Sequence, residues 1–233
     1  MSATRPLLPA RWKTRTVTGN DLRPPARRTQ AERRARSRSA LLESAARGIS
    51  RHGYRRLNLD EVAREAGYTR GALYHQFAGK EALAEAVVEW IEESWDAEVG
   101  HLLTEDGDPV EILFAVARGH VRYCRRDVGQ VMRQLALEFH DPAQPVGAAV
   151  RRVVDRLAGR SADLIAAAQR RGQIAATPAA HDIALAVISS LEALAIDLKG
   201  REAAHTELAE RVVRGLLALP PDRDSTDTAT ARR

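Results

Sequence analysis

The stretch from residue 59 to residue 78 constrains the fold most, because it has the spacing of a helix-turn-helix. Asn58, with Glu61 three residues later, has the pattern of a capping box and predicts the start of a helix. Gly67 predicts the left-handed turn that ends this helix, and Thr69 predicts the cap of a second, short helix. The residues expected to be buried where the helices cross are Val62, Ala63 and Leu73. We therefore expect two short helices joined by a tight turn.

The sequence on either side of this motif makes it specific. GALYHQFAGKEAL at 71–83 leads from the second helix into a further amphipathic helix, and LLESAA at 41–46 and HGY at 52–54 precede the motif. Together these segments closely resemble the DNA-binding domain of the TetR family, over roughly residues 29–90. Leu57 departs from the family pattern, since many members carry Thr there, and the difference implies the loss of a backbone contact.

Charge divides the chain into a basic N-terminal third and an acidic remainder. Residues 1–80 contain 18 Lys and Arg against 6 Asp and Glu, whereas residues 81–233 contain 18 against 25. A basic end of this kind indicates binding to nucleic acid or to an anionic membrane, and the helix-turn-helix favours nucleic acid. Residues 1–28 hold four prolines and only Asp21 as an acid, which predicts a disordered basic arm. Whether this arm contacts DNA stays open.

The remaining composition favours a cytoplasmic protein without cofactors. Cys124 is the single cysteine, which excludes an internal disulfide. No apolar run is long enough for a signal peptide or a membrane span. The cluster at 138–141 is explained by a polar helix end, so no metal is expected. An enzyme with a helical catalytic domain fused to a DNA-binding module is the alternative from another class, but no catalytic motif supports it.

Hydrophobic periodicity predicts helices throughout, so the expected fold class is all-α. Thr29 and Glu32 form a capping box that opens a first helix ending near His52. Glycine, proline and aspartate breaks divide the chain after residue 80 into six more helices. Their predicted ranges are 80–103, 109–126, 128–140, 145–171, 178–199 and 202–218.

A recognition helix enters the major groove with its N-terminal turn and one face, while the opposite face, with Leu73 and Phe77, points into the domain. Arg70 suits either a bidentate guanine contact or a phosphate clamp, and both stay open. In the family, the position of Lys80 brings an ammonium or an amide to a phosphate. The candidate DNA-binding residues are Thr69, Arg70, Gly71, Tyr74, His75, Lys80, Arg33, Arg34 and Asn58.

The predicted helix at 178–199 is apolar nearly all round and has only a narrow polar strip, so it must be covered on nearly all sides. This favours a subunit interface, with the central helix of a monomer as the alternative. In TetR-like proteins the last two long helices form a four-helix bundle across a two-fold axis, so the resemblance also favours an interface. The polar strip is formed by His181, Asp182, Ser189 and Glu192. The predicted interface residues are Ile188, Leu191, Leu194, Leu208, Val212 and Leu216.

The resemblance also implies a cavity for a small-molecule effector among the middle helices. Polar or aromatic side chains on or beside apolar stripes are the candidates to line it, although each alone is typical of an ordinary core. These candidates are Trp95, Phe114, His120, Tyr123, Met132, Gln134, Phe139 and Ser161. Cys124 is expected to be a buried small hydrophobe.

Together these patterns predict a homodimeric TetR-like transcriptional regulator, a repressor that a small-molecule effector releases from a palindromic, double-stranded DNA operator. A ligand-independent regulator or an activator of the same fold is the alternative. The expected domains are a helix-turn-helix domain at 29–79 and a helical effector-binding and dimerisation domain at 80–219, followed by a disordered polar tail at 220–233.

Overall fold

The computed structural model describes residues 29–141, 143–197 and 202–220, and the regular structure in these ranges is entirely helical. The all-α prediction is confirmed. The predicted arm at 1–28 and residues 221–233 of the predicted tail lie outside the described residues. None of the described helices combines the length and the apolar character that crossing a membrane requires. The α-helices are α1 (Gln30–His52), α2 (Leu59–Glu65), α3 (Arg70–Tyr74), α4 (Lys80–Glu98), α5 (Pro109–Cys124), α6 (Val131–Glu138), α7 (Pro145–Arg170), α8 (Ala180–Asp197) and α9 (Glu202–Leu216).

Local capping determines where α1 and α2 begin. The Thr29 hydroxyl accepts a hydrogen bond from the Glu32 amide, and the Glu32 carboxylate accepts one from the Thr29 amide, which confirms the capping box. At α2, the Asn58 carboxamide oxygen accepts from the amides of Asp60 (2.8 Å) and Glu61 (3.4 Å). The reciprocal bond from the Glu61 side chain is absent from the described contacts, so α2 has only half of its predicted box.

The turn between α2 and α3 has the predicted geometry. Gly67 adopts φ +78°, in the left-handed region that favours glycine, and Thr69 caps α3 by accepting from the Ala72 amide at 3.2 Å. Leu57 is buried just before α2, with its Cδ1 only 2.7 Å from the position of a Cβ added at Gly48. Leu57, which differs from the family pattern, is therefore a core residue whose large side chain fills the space beside Gly48.

Two apolar cores organise the chain. The first core includes residues of α1–α3, α4, α6 and the start of α7. The buried face of α4, with Leu83, Val87 and Ile91, belongs to this core, so α4 joins the helix-turn-helix to the helices that follow. The second joins α5, the end of α7, α8 and α9. Helix α4 therefore packs against both the helix-turn-helix and the helices that follow it.

Most predicted helix boundaries after residue 80 agree with the structure within about two residues, but two helices are shorter. The helix predicted at 80–103 ends at Glu98 and continues as a 3-10 helix, Gly100–Thr104. At Gly100 an added Cβ would lie 2.9 Å from the Trp95 ring, so the chain tightens there by close approach to its own preceding turn. The helix predicted at 128–140 is confined to Val131–Glu138.

Candidate DNA-binding surface and effector cavity

Helix α3 has one buried face and one exposed face. Leu73 is completely buried and Phe77 is nearly so, as predicted. Tyr74 is 44% exposed, which is unusual for an aromatic side chain on so short a helix. The residues exposed beside it are Thr69, Arg70, Gly71 and His75. The structure thus brings the five predicted recognition residues together on one surface.

Arg70 is held in place on this surface. Its guanidinium donates to the Asp60 carboxylate at 3.2 Å and to the Tyr74 hydroxyl at 3.4 Å, and it lies 5.3 Å from the centroid of the Tyr74 ring. The hydrogen bond with Tyr74, and then the charge of Asp60, raise the pKa of Arg70. An exposed ion pair of this kind contributes about 1 kcal/mol or less, so Arg70 is easily redirected to a base or a phosphate.

A groove between α1 and α3 extends this surface. Arg33 and Arg34, both predicted, lie along it, and Arg36 adds a third arginine. The Gln76 amide donates to the Ser37 hydroxyl at 2.9 Å and so ties the end of α3 to α1. The sequence analysis missed Arg36 and Gln76, although the spacing of Arg33 and Arg36 on α1 is a helical signal that one face is basic.

Lys80 and Asn58 are engaged within the protein. The Lys80 ammonium donates to the Arg55 carbonyl at 3.0 Å and lies 4.7 Å from the centroid of the Tyr54 ring. Burial lowers the pKa of Lys80, with the charge of Glu138 opposing the shift. No side chain caps the first-turn amides of α4. The Asn58 carboxamide oxygen caps α2.

A cavity of about 140 Å³ lies between α4, α5, α6, α7 and α8. Four predicted effector residues line it, namely Trp95, His120, Tyr123 and Met132. Ser161 lines a smaller void that shares Trp95 and His120 with the cavity. A mostly apolar lining with a few polar groups is typical of a site for a small organic molecule.

One wall of the cavity is polar but uncharged. The Trp95 indole donates to His120 Nδ1 at 3.1 Å, and His120 Nε2 lies 3.4 Å from the Cys124 sulfur. Burial lowers the pKa of His120 to about 4 and raises the pKa of Cys124 to about 12. Since Nδ1 accepts, the proton of the neutral imidazole is on Nε2 and faces the thiol. At neutral pH this wall therefore carries no charge.

Charged groups lie around the rest of the cavity. Arg156 donates to Glu92, with a distance of 2.7 Å from Nε, and Arg160 pairs with Asp96 and with the Gly100 carbonyl. Glu192 has no hydrogen-bond partner among the described residues. Burial raises the pKa of the Glu192 carboxyl, and the charge of Arg133 opposes this shift. None of these charged residues was a predicted effector contact, although Glu192 belonged to the polar strip of the predicted helix.

Comparison with known proteins identifies the helix-turn-helix domain. Residues 41–87 match the family model described as bacterial regulatory proteins, tetR family. This segment of the chain is therefore a TetR-type DNA-binding domain. The A-factor receptor protein of Streptomyces griseus is 40% identical over 50 residues, which cover 22% of this chain and 18% of that protein. Curated relatives are matched over 18 to 57% of their own lengths, so these alignments stop short of two thirds of any of them.

Solved structures share the fold of this chain well beyond the matched domain. A TetR transcriptional regulator from Chloroflexus aurantiacus superposes with a TM-score of 0.67 at 21% identity, covering 80% of this chain and 95% of that one. The structure of AibR in complex with isovaleryl coenzyme A and operator DNA gives a TM-score of 0.63 at 19% identity, covering 79% and 100% of the two chains. At these identities the likeness concerns the fold alone.

Three predicted effector residues lie outside the cavity. Phe114 belongs to the second core, with the Arg214 guanidinium 5.0 Å from its ring centroid. Phe139 packs edge-on against Tyr54 at 4.7 Å between centroids. Gln134 lies near Gly53, at the same junction with the helix-turn-helix. Helical periodicity identifies an inward-facing residue but not the neighbour that it meets, which explains these errors.

The predicted interface residues fall into a buried group and a partly exposed group. Ile188 and Leu191 are only 7% and 3% exposed within a single subunit, since they pack against α4, α5 and α7 around the cavity. They therefore have little surface left for a second subunit. Leu194, Leu208 and Val212 are half-buried, and Leu216 is 37% exposed. Leu185 on α8, which was not predicted, is 36% exposed.

Proposed function

We propose that this chain is a homodimeric repressor of the TetR family that binds a palindromic DNA operator and releases it when a small molecule fills the cavity. The observation that carries this proposal is the exposed side of α3, where Arg70 and Tyr74 contact each other and His75 lines the groove beside the arginines of α1. A recognition helix enters the major groove with such exposed side chains, and arginines beside it can bind phosphates.

A second subunit is proposed to pack against α8 and α9. These helices are antiparallel neighbours, and the exposed leucines Leu185 and Leu216 lie near the start of α8 and the end of α9, respectively. A two-fold pairing of this surface buries both leucines and sets two α3 helices on one side of the dimer. An operator with two half-sites about 34 Å apart, one helical turn of DNA, then matches the two-fold symmetry of the protein.

Helix α6 is proposed to connect the cavity with the helix-turn-helix. Met132 and Arg133, at its start, line the cavity. At its end, the Glu138 carboxylate accepts hydrogen bonds from the backbone amides of Tyr54 (2.6 Å) and Arg55 (2.8 Å). A ligand that displaces the start of α6 therefore pulls on the turn between α1 and α2. Release from DNA requires that the ligand bind this displaced state more tightly.

Replacing Tyr74 by Ala is expected to weaken operator binding by about 1 to 3 kcal/mol without loss of helicity, because the side chain is exposed and is placed to contact DNA. Fluorescence anisotropy with labelled operator measures the affinity, and circular dichroism measures the fold. Tyr74→Phe is the matched control, since it keeps the ring and removes only the hydroxyl that meets Arg70. Unfolding of the Ala variant would show that Tyr74 supports the core instead.

Replacing Glu138 by Ala is expected to lower the protection of the Tyr54 and Arg55 amides from hydrogen exchange by at least about tenfold, because both lose a charged acceptor. Hydrogen exchange read by mass spectrometry over residues 50–57 tests this. Glu98→Ala, which breaks an exposed pair with Arg126, is the control and should leave this segment unchanged. Equal protection in wild type and Glu138→Ala would remove α6 as the proposed connection.

The whole proposal is tested by selecting genomic fragments with the purified full-length protein. Recovery of an inverted repeat, bound by two subunits, is the expected result. Enrichment of unrelated fragments with equal affinity would contradict sequence-specific regulation. A reporter gene placed behind the recovered site then separates repression from the alternative, activation. Turnover of the cavity ligand would instead favour the enzyme alternative.

A further inference from the structure

We propose that the cavity binds a cationic molecule with an apolar body, an amine carrying an aromatic or alicyclic group, and that Glu192 is its counter-ion. The proposal depends on the proposed function in one respect only, namely that this molecule is the effector that releases the protein from DNA. Its basis is the arrangement of charge around the cavity, in which one carboxylate is unpaired and the others are already neutralised.

Glu192 is the unpaired carboxylate. It lies on α8 beside Ile188, and both residues line the cavity. No described donor lies within hydrogen-bond distance of its oxygens, and burial raises the pKa of its carboxyl, which shows that water solvates it poorly. A carboxylate in this position gains most from a ligand that brings both a positive charge and N–H donors.

Two of the three arginines at the cavity are already paired. Arg156 is bound to Glu92 and Arg160 is bound to Asp96, so neither guanidinium is available without breaking an ion pair. The third, Arg133, is exposed, and its charge opposes the rise in the pKa of Glu192 without a hydrogen bond between them. An anionic ligand would therefore have to compete with Glu192 for the charge of Arg133 or displace an acid from its arginine.

The walls suit the body of such a cation. Trp95 and Tyr123 present aromatic rings, and Ile91, Met132 and Leu157 supply aliphatic or thioether surface. Aromatic rings attract ammonium groups through their electron-rich faces and also bury apolar surface. The Tyr123 hydroxyl donates to the Ile91 carbonyl at 3.1 Å, and Trp95 donates to His120, so these rings are held in place before a ligand enters.

Isothermal titration calorimetry of the purified protein with three probes that share one apolar body tests the charge preference. The probes are 4-phenylbutylammonium, 4-phenylbutanol and 5-phenylpentanoate, which all carry a phenyl ring on four methylene groups and differ in the end group. We expect the ammonium to bind at least about tenfold more tightly than the alcohol, and the carboxylate to bind most weakly.

Glu192→Gln is expected to abolish the preference for the ammonium and to leave the affinity for the alcohol within about threefold. Glu93→Gln, which removes an exposed carboxylate of α4 that does not line the cavity, is the matched control and should bind like wild type. Retention of the ammonium preference by Glu192→Gln overturns the proposal, as does tighter binding of the carboxylate or absence of ammonium binding in the wild type. These titrations contain no DNA, so failure of operator binding or release is recognised separately.

Discussion

Replacing Leu185 and Leu216 together by glutamate is expected to convert dimers into monomers and to weaken operator binding by about 100-fold or more. Both leucines are over a third exposed in the single subunit, and the proposed pairing of α8 and α9 buries them against a second copy. Four new carboxylates in such an interface repel one another and lose their water. A monomer engages one half-site at a time and so loses the gain from linked binding, which reaches about 10² to 10⁴.

Sedimentation velocity measures the subunit count, and anisotropy with a two-half-site operator measures the affinity. Leu137→Glu is the matched control, since Leu137 is 66% exposed on α6, away from α8 and α9, and this variant should remain dimeric. Leu191→Glu is unsuitable as an interface test, because a charge there is buried in the subunit and is expected to unfold it. A double variant that stays dimeric would place the interface on another surface.

Replacing Leu73 by Ala is expected to lower the free energy of unfolding by about 2 to 5 kcal/mol, because the substitution leaves a cavity where α3 packs on the first core. Leu73 has no exposed surface, and it is the only fully buried side chain within the five residues of α3 among those described. Urea denaturation followed by circular dichroism measures the loss. Operator binding should fall only to the extent that the domain is unfolded.

Leu73→Met keeps most of the side-chain volume and is expected to lower the free energy of unfolding by less than about 1.5 kcal/mol. Comparing Leu73→Ala with Leu73→Met therefore separates the effect of lost packing from any specific role of leucine. The comparison with Tyr74→Ala is equally direct, since the neighbouring position should lose DNA affinity and keep its stability. If Leu73→Ala were as stable as wild type, the assignment of the two faces of α3 would be wrong.

Features that depend on neighbours in sequence were predictable. The capping box of Thr29 and Glu32, the turn at Gly67 and the cap at Thr69 each use groups within a few residues, so the amino-acid types determine their geometry. The inward side of α3 followed from the same local periodicity, with Leu73 buried and Tyr74 exposed. The all-helical fold and the resemblance to the TetR family required no more than this.

Features that depend on which helix faces which were decided by the tertiary structure. Leu191 was predicted at a subunit interface and Phe139 in the effector cavity, but packing places Leu191 at the smaller void and Phe139 against Tyr54. Packing also brings the Lys80 ammonium, a predicted phosphate contact, to the carbonyl of Arg55, 25 positions away along the chain.

The same distinction explains the two groups on which the functional proposals depend. Glu138 meets the amides of Tyr54 and Arg55 across more than 80 residues of sequence, and Glu192 enters a cavity whose walls come from five helices. In the sequence, Glu138 is an acidic residue near a helix end and Glu192 belongs to the narrow polar strip of a nearly apolar helix. The sequence alone determined the helices and the exposed side of α3, because those depend on contacts within a turn or two. The neighbours of Glu138 and Glu192 depend on long-range packing, which only the folded chain defines.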